Sequence, residues 1–459
     1  MIDELRTRFR GALLRPGEEG YDEARRVWNG AIDRRPALIA RCAGADDVGE
    51  AVRFARERDL VISIKGGGHA VAGHAVCDDG VMIDLSLMKA ISVDPAARTA
   101  RAAGGVLWRE LDAATQAHGL ATTGGVISHT GIGGLTLGGG LGHIMRRYGL
   151  TVDNLRAVDL VTADGEHVRA DADSEPELFW GLRGGGGNFG VATAFEYDVH
   201  RLGPMVLGGS VFWDVDDAGT VLRRVRETMP EAPDELGVAF AMMLAPPLPV
   251  MPPDRVGKPA VGLVLVWAGD PAEGQAALAP LRRIGTPLVD SVAVVPYAFV
   301  QSMLDGGAPH GRHYYWKSHR FPDLSDPVID VFLERLAAMT SPFAQITGWA
   351  MGGAVSRVDA DATAVGERED GYDVSFATGW LPSDPEPGRH RDWSRMAWDA
   401  LQPYSSGLYA NFISDEGEAG VEAAYGDRRA RLSALKAAWD PDNVFRMNAN
   451  IRPSVEAVR

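Results

Sequence analysis

The chain has 459 residues, 46 basic against 62 acidic side chains, a formal net charge of −16, and 46% hydrophobic and 24% charged residues. That length exceeds what one hydrophobic core usually organises, so two domains are expected, and the acidic balance works against nucleic acid and anionic lipid as partners. With only two cysteines, Cys42 and Cys77, a CxxC-type metal site and a disulfide framework are both excluded.

The opening segment MIDELRTRFRGALL has early acidic residues and no apolar run of signal-peptide length. No stretch approaches the ~20 apolar residues of a membrane span, so a cytoplasmic protein with free buried thiols is expected. DDVGEAVRFARERD reads as an amphipathic helix with Asp46 or Asp47 as N-cap and Val48, Ala51, Val52 and Ala55 on one face. LVISI (60–64), VMIDLS (81–86) and AISVD (90–94) are β-branched strands, and VLWRELDAATQAHG (106–119) is a helix closed by Gly119. LRAVDLVTADGEHVRA has a hairpin pattern with Asp164-Gly165 in the turn, and ELFWGLRGGGGNFGVATAFEYDV reads as helix, glycine loop and strand.

Composition shifts after Leu202-Gly203-Pro204. Residues 240–258 hold a Pro-rich loop, and strands at 261–267 and 291–297 flank a helix near 271–283. A helix at 326–339, strands near 344–357 and 372–380, and a helix at 392–404 follow. Together they predict one antiparallel sheet with helices on one face. A basic amphipathic helix ends at Asp440-Pro441. The alternation of short strands with helices is an α+β layout rather than a doubly wound parallel sheet.

Glycine is concentrated in four segments: Gly66-Gly67-Gly68-His69, Gly124-Gly125, the run from Gly131 to Gly142, and Gly184 to Gly187. Successive backbone N–H groups in such turns make anion nests suited to a pyrophosphate. No GxxxxGK[ST] occurs, and GIGGLTLGGGLGH does not join a strand to a helix in a βαβ unit, so neither a P-loop nor a dinucleotide fingerprint is present. Four clusters in one domain favour a cofactor over four unrelated turns. A histidine after three glycines is by itself an ordinary loop residue; its meaning depends on its company.

Six segments stand in a fixed order: SIKGGGHAVAGHAV, VMIDLSLM, GGVLWRELDAATQAHGLATTGG, GIGGLTLGGGLGHIMRRYGLTVDNL, ELFWGLRGGGGNFGVAT and YGDRRARLSALKAAWDPDNVFRMNANI. Their order and content resemble the berberine bridge enzyme-like branch of the vanillyl-alcohol oxidase flavoproteins, near the bacterial 6-hydroxynicotine oxidase type. The resemblance is dense over 36–204 and 425–453 and thin between. It implies a two-domain FAD-binding fold of the PCMH type: residues 1–204 and a returning C-terminal segment (406–459) around FAD, with 205–405 as an antiparallel-sheet substrate domain. It also implies a covalent 8α-histidyl bond from FAD to His69, and cofactor contacts from Gly66, Gly67, Gly68, Gly73, Gly124, Gly125, Thr130, Gly131, Gly134, Gly140, Val191, Asn448 and Asn450. A covalent imidazole raises flavin potential and retains the cofactor.

Relatives with a second link carry Cys in a Gly-x-Cys-x-x-[Val/Leu]-Gly pattern. Here the Cys position is Ile127, so a single bond is expected, with Cys77 a small buried hydrophobe. Thr130 stands where a small residue is associated with oxygen access, which leans toward an oxidase. The family's Tyr-x-Asn-Tyr motif reads Tyr409-Ala410-Asn411-Phe412, so its catalytic-type second tyrosine is absent. An amine substrate, deprotonated before hydride leaves, needs no such base. Asn411 and Tyr409 are the substrate-side candidates. In GRHYYWKSHRF (311–321), strand spacing puts Tyr315 and Lys317 on one face, either in the pocket or packed against helices. His129 and His143 border the glycine loops and read as hydrogen-bonding residues. The acidic stretch Gly366–Asp373 and the basic residues Arg428, Arg429 and Arg431 read as solvated surface. The expected reaction is oxidation of a small organic molecule by hydride transfer to flavin N5, with molecular oxygen as electron acceptor. A flavin dehydrogenase, an oxidative cyclase or an oxygenating flavoenzyme shares every motif and differs in oxygen reactivity or product.

Overall fold

The computed structural model describes residues 2–454. Its first sheet has the order β1 (Ala12–Leu14), β2 (Leu38–Arg41), β4 (Val81–Asp84), β3 (Ile62–Lys65), with β2 and β3 both parallel to β4. The helix α1 (Ala45–Arg56) links β2 to β3 and buries Val48, Ala51, Val52 and Ala55 as its periodicity demands. Its N-cap is Gly44, not Asp46 or Asp47. The Asp47 carboxylate instead accepts the backbone N–H groups of Arg10, Gly11 and Ala43, tying the segment before β1 to the helix start.

The second sheet is antiparallel: β5 (Ile91–Asp94), β6 (Thr99–Ala103), β9 (Val191–Asp198), β7 (Leu155–Val161), β8 (His167–Asp171). Gly165, at φ 79°, turns the β7–β8 hairpin. The helices α2 (Trp108–Gln116) and α3 (Ile132–Leu137) belong to this unit, and their Trp108, Leu111 and Ile132 enter its core.

A third, eight-stranded antiparallel sheet occupies the middle of the chain. Beyond two short strands paired to its first member, Val289–Asp290 and Ala293–Pro296, it runs β10 (Met205–Asp214), β12 (Pro259–Trp267), β11 (Leu236–Leu244), β14 (Gln345–Ala350), β15 (Tyr372–Trp380), β13 (His313–Phe321). The helices α4 (Ala218–Thr228), α5 (Pro271–Arg282), α6 (Asp326–Ala337) and α7 (Gly388–Leu401) bury Val221, Leu278, Phe332 and Trp393 in one core with the strands. The chain then returns: α8 (Gly417–Tyr425) and α9 (Arg429–Trp439) pack Val421, Tyr425, Leu432 and Leu435 into the core of the second sheet. The result is the two-domain α+β fold expected.

Several boundaries shift for local reasons. The loop expected over 240–258 begins only after Leu244, because Leu236–Leu244 pairs on both sides before Pro246 and Pro247 break the ladder. The strand near 344–357 stops at Ala350, ahead of Gly352 and Gly353 at φ 106° and 62°. The strand at 291–297 shortens to Ala293–Pro296, and Tyr297 opens a helical turn. The helix placed at 392–404 starts earlier, at Gly388.

One surface assignment also changes. Within Gly366–Asp373, Arg368 and Asp373 are buried: Arg368 grips the Asp153 carboxylate through two bonds of 2.9 and 2.7 Å, and Asp373 pairs with Arg320 at 3.1 Å. Arg428, Arg429 and Arg431 remain at the surface as expected, where Arg428 donates to Ala360 O and the other two pair with Glu418, Glu422 and Glu177. Cys42 and Cys77 are free and buried. No helix among the described residues is long and apolar enough to cross a membrane.

Candidate active site at the domain junction

The site begins where β3 ends. Gly68, at φ 70°, takes a conformation that glycine tolerates, and it delivers His69 beside the loop that precedes α3. The two loops touch main chain to main chain: a Cβ at Gly67 would sit 2.2 Å from the Gly131 nitrogen. His69 Nε2 shares a hydrogen bond of 2.8 Å with His129 Nδ1, and Thr130 Oγ1 lies 3.3 Å from His69 Nδ1. Burial, more than the neighbouring imidazoles, pushes the His69 pKa well below the ordinary histidine value, so the ring is neutral at pH 7.

The other wall comes from far along the chain. The Trp28 indole stacks on His69 (5.0 Å, 16°) and on Tyr314 of β13 (3.9 Å, 12°). Its position is fixed by main-chain bonds from Trp28 N to Gly68 O (3.0 Å) and from Gly311 N to Trp28 O (3.0 Å), and by Trp28 Nε1 donating to Ala308 O (2.8 Å). Asn29 clamps the same junction, donating to Val71 O and Tyr314 O and accepting from Tyr314 N. Asp305 accepts from both Ser128 N and Ser128 Oγ, at 2.8 and 2.5 Å. An aromatic surface continues from Trp28 through Trp316 (5.6 Å) and Phe412 (5.7 Å) to Tyr409 (4.9 Å), and the buried Trp316 Nε1 has no partner.

Beside this junction lies a cavity of about 370 Å³ lined by Gly66, Gly67, Ser86, Gly105, His129 and His310 among others. Gly66 and Gly67 thus present bare main chain to open space, as a phosphate cradle requires. Gly124, Gly125 and Gly140 differ: Trp108, Leu135 and Thr151 already fill the space where their Cβ atoms would stand, so their size serves packing. Ile32 does the same at Gly73. Gly134 meets nothing within 4 Å. Val191 is fully buried at the start of β9. In the returning segment Asn448 Nδ2 donates to Gly187 O, whereas the buried Asn448 Oδ1 and Asn450 Oδ1 have no partner. Free acceptors beside a glycine loop fit a cofactor with N–H groups.

Tyr409 and Asn411 meet the end of α3. The Tyr409 hydroxyl oxygen accepts from Gly140 N (2.8 Å), Leu141 N (3.3 Å) and Asn411 Nδ2 (2.8 Å), and Asn411 Nδ2 also donates to Leu135 O. Burial pushes the Tyr409 phenol up to about 12, so it is neutral at pH 7.

Tyr315 and Lys317 do share a face of β13, but it is the face turned to α7. The Tyr315 hydroxyl bonds Asp415 and Arg395, and Lys317 pairs with Asp415 and Glu416 and sits 5.2 Å over Trp398. The structure does not bring these two residues to His69; their neighbours Tyr314 and Trp316, on the other face of β13, reach Trp28, the indole that stacks on His69. His143 is buried with Nε2 unpartnered, and burial lowers its pKa to about 4. Trp28, Asn29 and His310 belong to the junction without a motif that marks them in the sequence. The Trp28-Asn29-Gly30 step before the first glycine loop was the available signal, but its partners lie about 280 residues away.

Comparison with known proteins places this geometry. Residues 36–171 match the model of an FAD binding domain, and residues 408–452 match that described as berberine and berberine like. An FAD-linked oxidoreductase of Dictyostelium discoideum is 30% identical over 99% of this chain and 97% of its own length. The (R)-6-hydroxynicotine oxidase of Paenarthrobacter nicotinovorans is 30% identical over 97% of both chains. The crystal structure of 6-hydroxy-D-nicotine oxidase from Arthrobacter nicotinovorans superposes with a TM-score of 0.87 at 29% identity, covering 97% of this chain and 98% of that one.

Proposed function

This chain belongs to the berberine-like family of FAD-linked oxidoreductases, and from that premise we propose that it is an oxidase whose FAD is joined covalently to His69. One observation carries the proposal: a neutral imidazole, stacked on Trp28 and bonded to His129, stands where two glycine loops meet beside an open cavity. Bound flavin supplies a two-electron acceptor at N5 that molecular oxygen reoxidises with release of hydrogen peroxide.

The residues take the following parts. Nε2 is held by His129 at 2.8 Å and Nδ1 only by the longer 3.3 Å bond to Thr130 Oγ1, which favours attachment at Nδ1. Gly66 and Gly67, which line the cavity, offer main chain to the pyrophosphate, with Gly131 packed behind Gly67, and the free acceptors of Asn448 and Asn450 take cofactor N–H groups. Ile127 at the second-link position limits the bond to one. Trp28, Tyr314, Trp316 and Phe412 form an aromatic wall that excludes water and orients an apolar, flat substrate. Phe412 offers no proton acceptor, and the Tyr409 oxygen is already occupied by three N–H donors. A substrate that enters as the neutral amine needs no base there, which favours an amine over an alcohol; we assign the substrate contact to Asn411, whose Nδ2 is held by Leu135 O and the Tyr409 hydroxyl. The division into 1–204 with 406–459, and 205–405, follows the separate cores of the second and third sheets.

The test is turnover in air with a panel of cyclic amines, alcohols and oligosaccharides, following peroxide release and flavin absorbance. The proposal expects bleaching by an amine under nitrogen and rapid return of colour on admitting air. Bleaching without return in air would make the protein a dehydrogenase.

A further inference from the structure

Three histidines from separate segments converge at the junction: His69 after β3, His129 before α3, and His310 in the loop entering β13. One ring nitrogen of each lies within 4.8 Å of the other two. His69 Nε2 and His129 Nδ1 are 2.8 Å apart, and the His310 ring centre is 4.8 Å from that of His129 and 5.5 Å from that of His69. No carboxylate among the described residues shares the cluster, and Asp305, whose charge reaches His129, is held by Ser128. His129 and His310 both line the 370 Å³ cavity, so an ion can reach the nitrogens and keep water as a further ligand.

We infer that His69 Nε2, His129 Nδ1 and a ring nitrogen of His310 form a binding site for a divalent transition-metal ion of borderline softness, with Zn²⁺ the reference case. An all-imidazole donor set selects Zn²⁺, Co²⁺, Ni²⁺ or Cu²⁺ over Mg²⁺ and Ca²⁺, which demand oxygen. The proton that His69 Nε2 and His129 Nδ1 share in their 2.8 Å hydrogen bond must move to the other nitrogen of His129 when the ion binds, which leaves both neutral rings able to ligate. Tetrahedral bonds of about 2.1 Å place ligand nitrogens about 3.4 Å apart. The His69–His129 pair therefore opens slightly, its hydrogen bond replaced by two metal bonds, and the solvent-facing His310 swings inward. Positive charge from Lys65 and Arg109 opposes the ion and moderates its affinity.

Because His310 precedes β13 of the large sheet while His69 and His129 belong to the glycine loops, the ion links the two domains across the cavity mouth. His69 Nδ1 faces Thr130 rather than the cluster, so a flavin bonded there leaves Nε2 on the site. The attachment proposed above and the ion therefore use different nitrogens of His69, while sharing the cavity that Gly66 and Gly67 line.

The experiment titrates Co²⁺ into the full-length protein as isolated, after dialysis against chelator, and reads the visible bands of tetrahedral Co²⁺ with a parallel Zn²⁺ calorimetric titration. The native chain should bind one ion. His129→Ala and His310→Ala should each weaken binding at least as much as the roughly tenfold cost of losing an outer-sphere partner, while His118→Ala, exposed at the end of α2, should leave it unchanged. His310 is exposed, so its replacement does not threaten the fold. Absence of Co²⁺ bands in the native chain, or equal affinities for the native and His310→Ala proteins, would overturn the inference. Covalent flavin measured in the same samples separates this outcome from failure of the attachment.

Discussion

Removing the Lys436 charge is a severe test of how the returning segment is held. Lys436 and Asp440 are both wholly inaccessible to solvent. The ammonium donates to Asn188 O (2.7 Å), Asp440 Oδ2 (2.6 Å) and Phe445 O (2.9 Å), and the carboxylate also accepts from Val444 N and Phe445 N. Lys436→Met keeps the side-chain length, so little cavity forms, yet it strands a buried carboxylate and two carbonyls. Breaking such a pair costs about 3–5 kcal/mol; the two surviving N–H bonds to Asp440 put the expectation near the lower end. Adding Asp440→Asn removes the stranded charge and should recover part of the loss. Denaturant unfolding followed by circular dichroism gives the values, read on the transition of the domain that contains Asn188. A Lys436→Met cost under about 1 kcal/mol, the range of exposed pairs, would refute the reasoning.

Other consequences can be measured directly. Burial raises the Asp112 carboxyl to about 7, against about 3.9 in an unfolded chain. Its stabilising contribution is thus complete below about pH 4 and is lost as pH rises through about 7. Asp112→Asn should therefore flatten the fall in stability across that window, and parallel curves for the two proteins would contradict the assignment. Gly67→Ala drives a Cβ to 2.2 Å from the Gly131 nitrogen, an overpacking worth about 1–3 kcal/mol. Gly134→Ala, in the interior of α3 with open space around it, should instead gain up to about 1 kcal/mol; thermal melts of the pair decide. Tyr315→Phe removes a hydroxyl shared by Asp415 and Arg395 away from His69 and should leave turnover unchanged, whereas Trp28→Ala removes the ring stacked on His69 and should lower covalent flavin.

What could be read from the chain was local. The glycine loops, His69, the missing cysteine at Ile127 and the altered motif ending in Phe412 are written in consecutive residues, and the alternation of strands and helices gave the α+β class. What lay hidden depended on distant partners. The pairing of Trp28 and Asn29 with residues 308–314 leaves no periodic trace. The two faces of β13 were legible as alternation, but which one met the glycine loops depended on α7 covering Tyr315, Lys317 and His319. Asp47 looked like a helix cap because a cap and a loop clamp use the same carboxylate. Arg368 and Asp373 looked solvated because burial of a charge pair is decided by Asp153 and Arg320, remote in sequence.

The most direct test is the intact mass of the denatured native protein beside that of His69→Ala. The native chain should be heavier than its sequence by one FAD, and the variant should match its sequence mass. A native chain at its bare sequence mass, or a variant that still carries flavin through denaturation, would contradict attachment at His69.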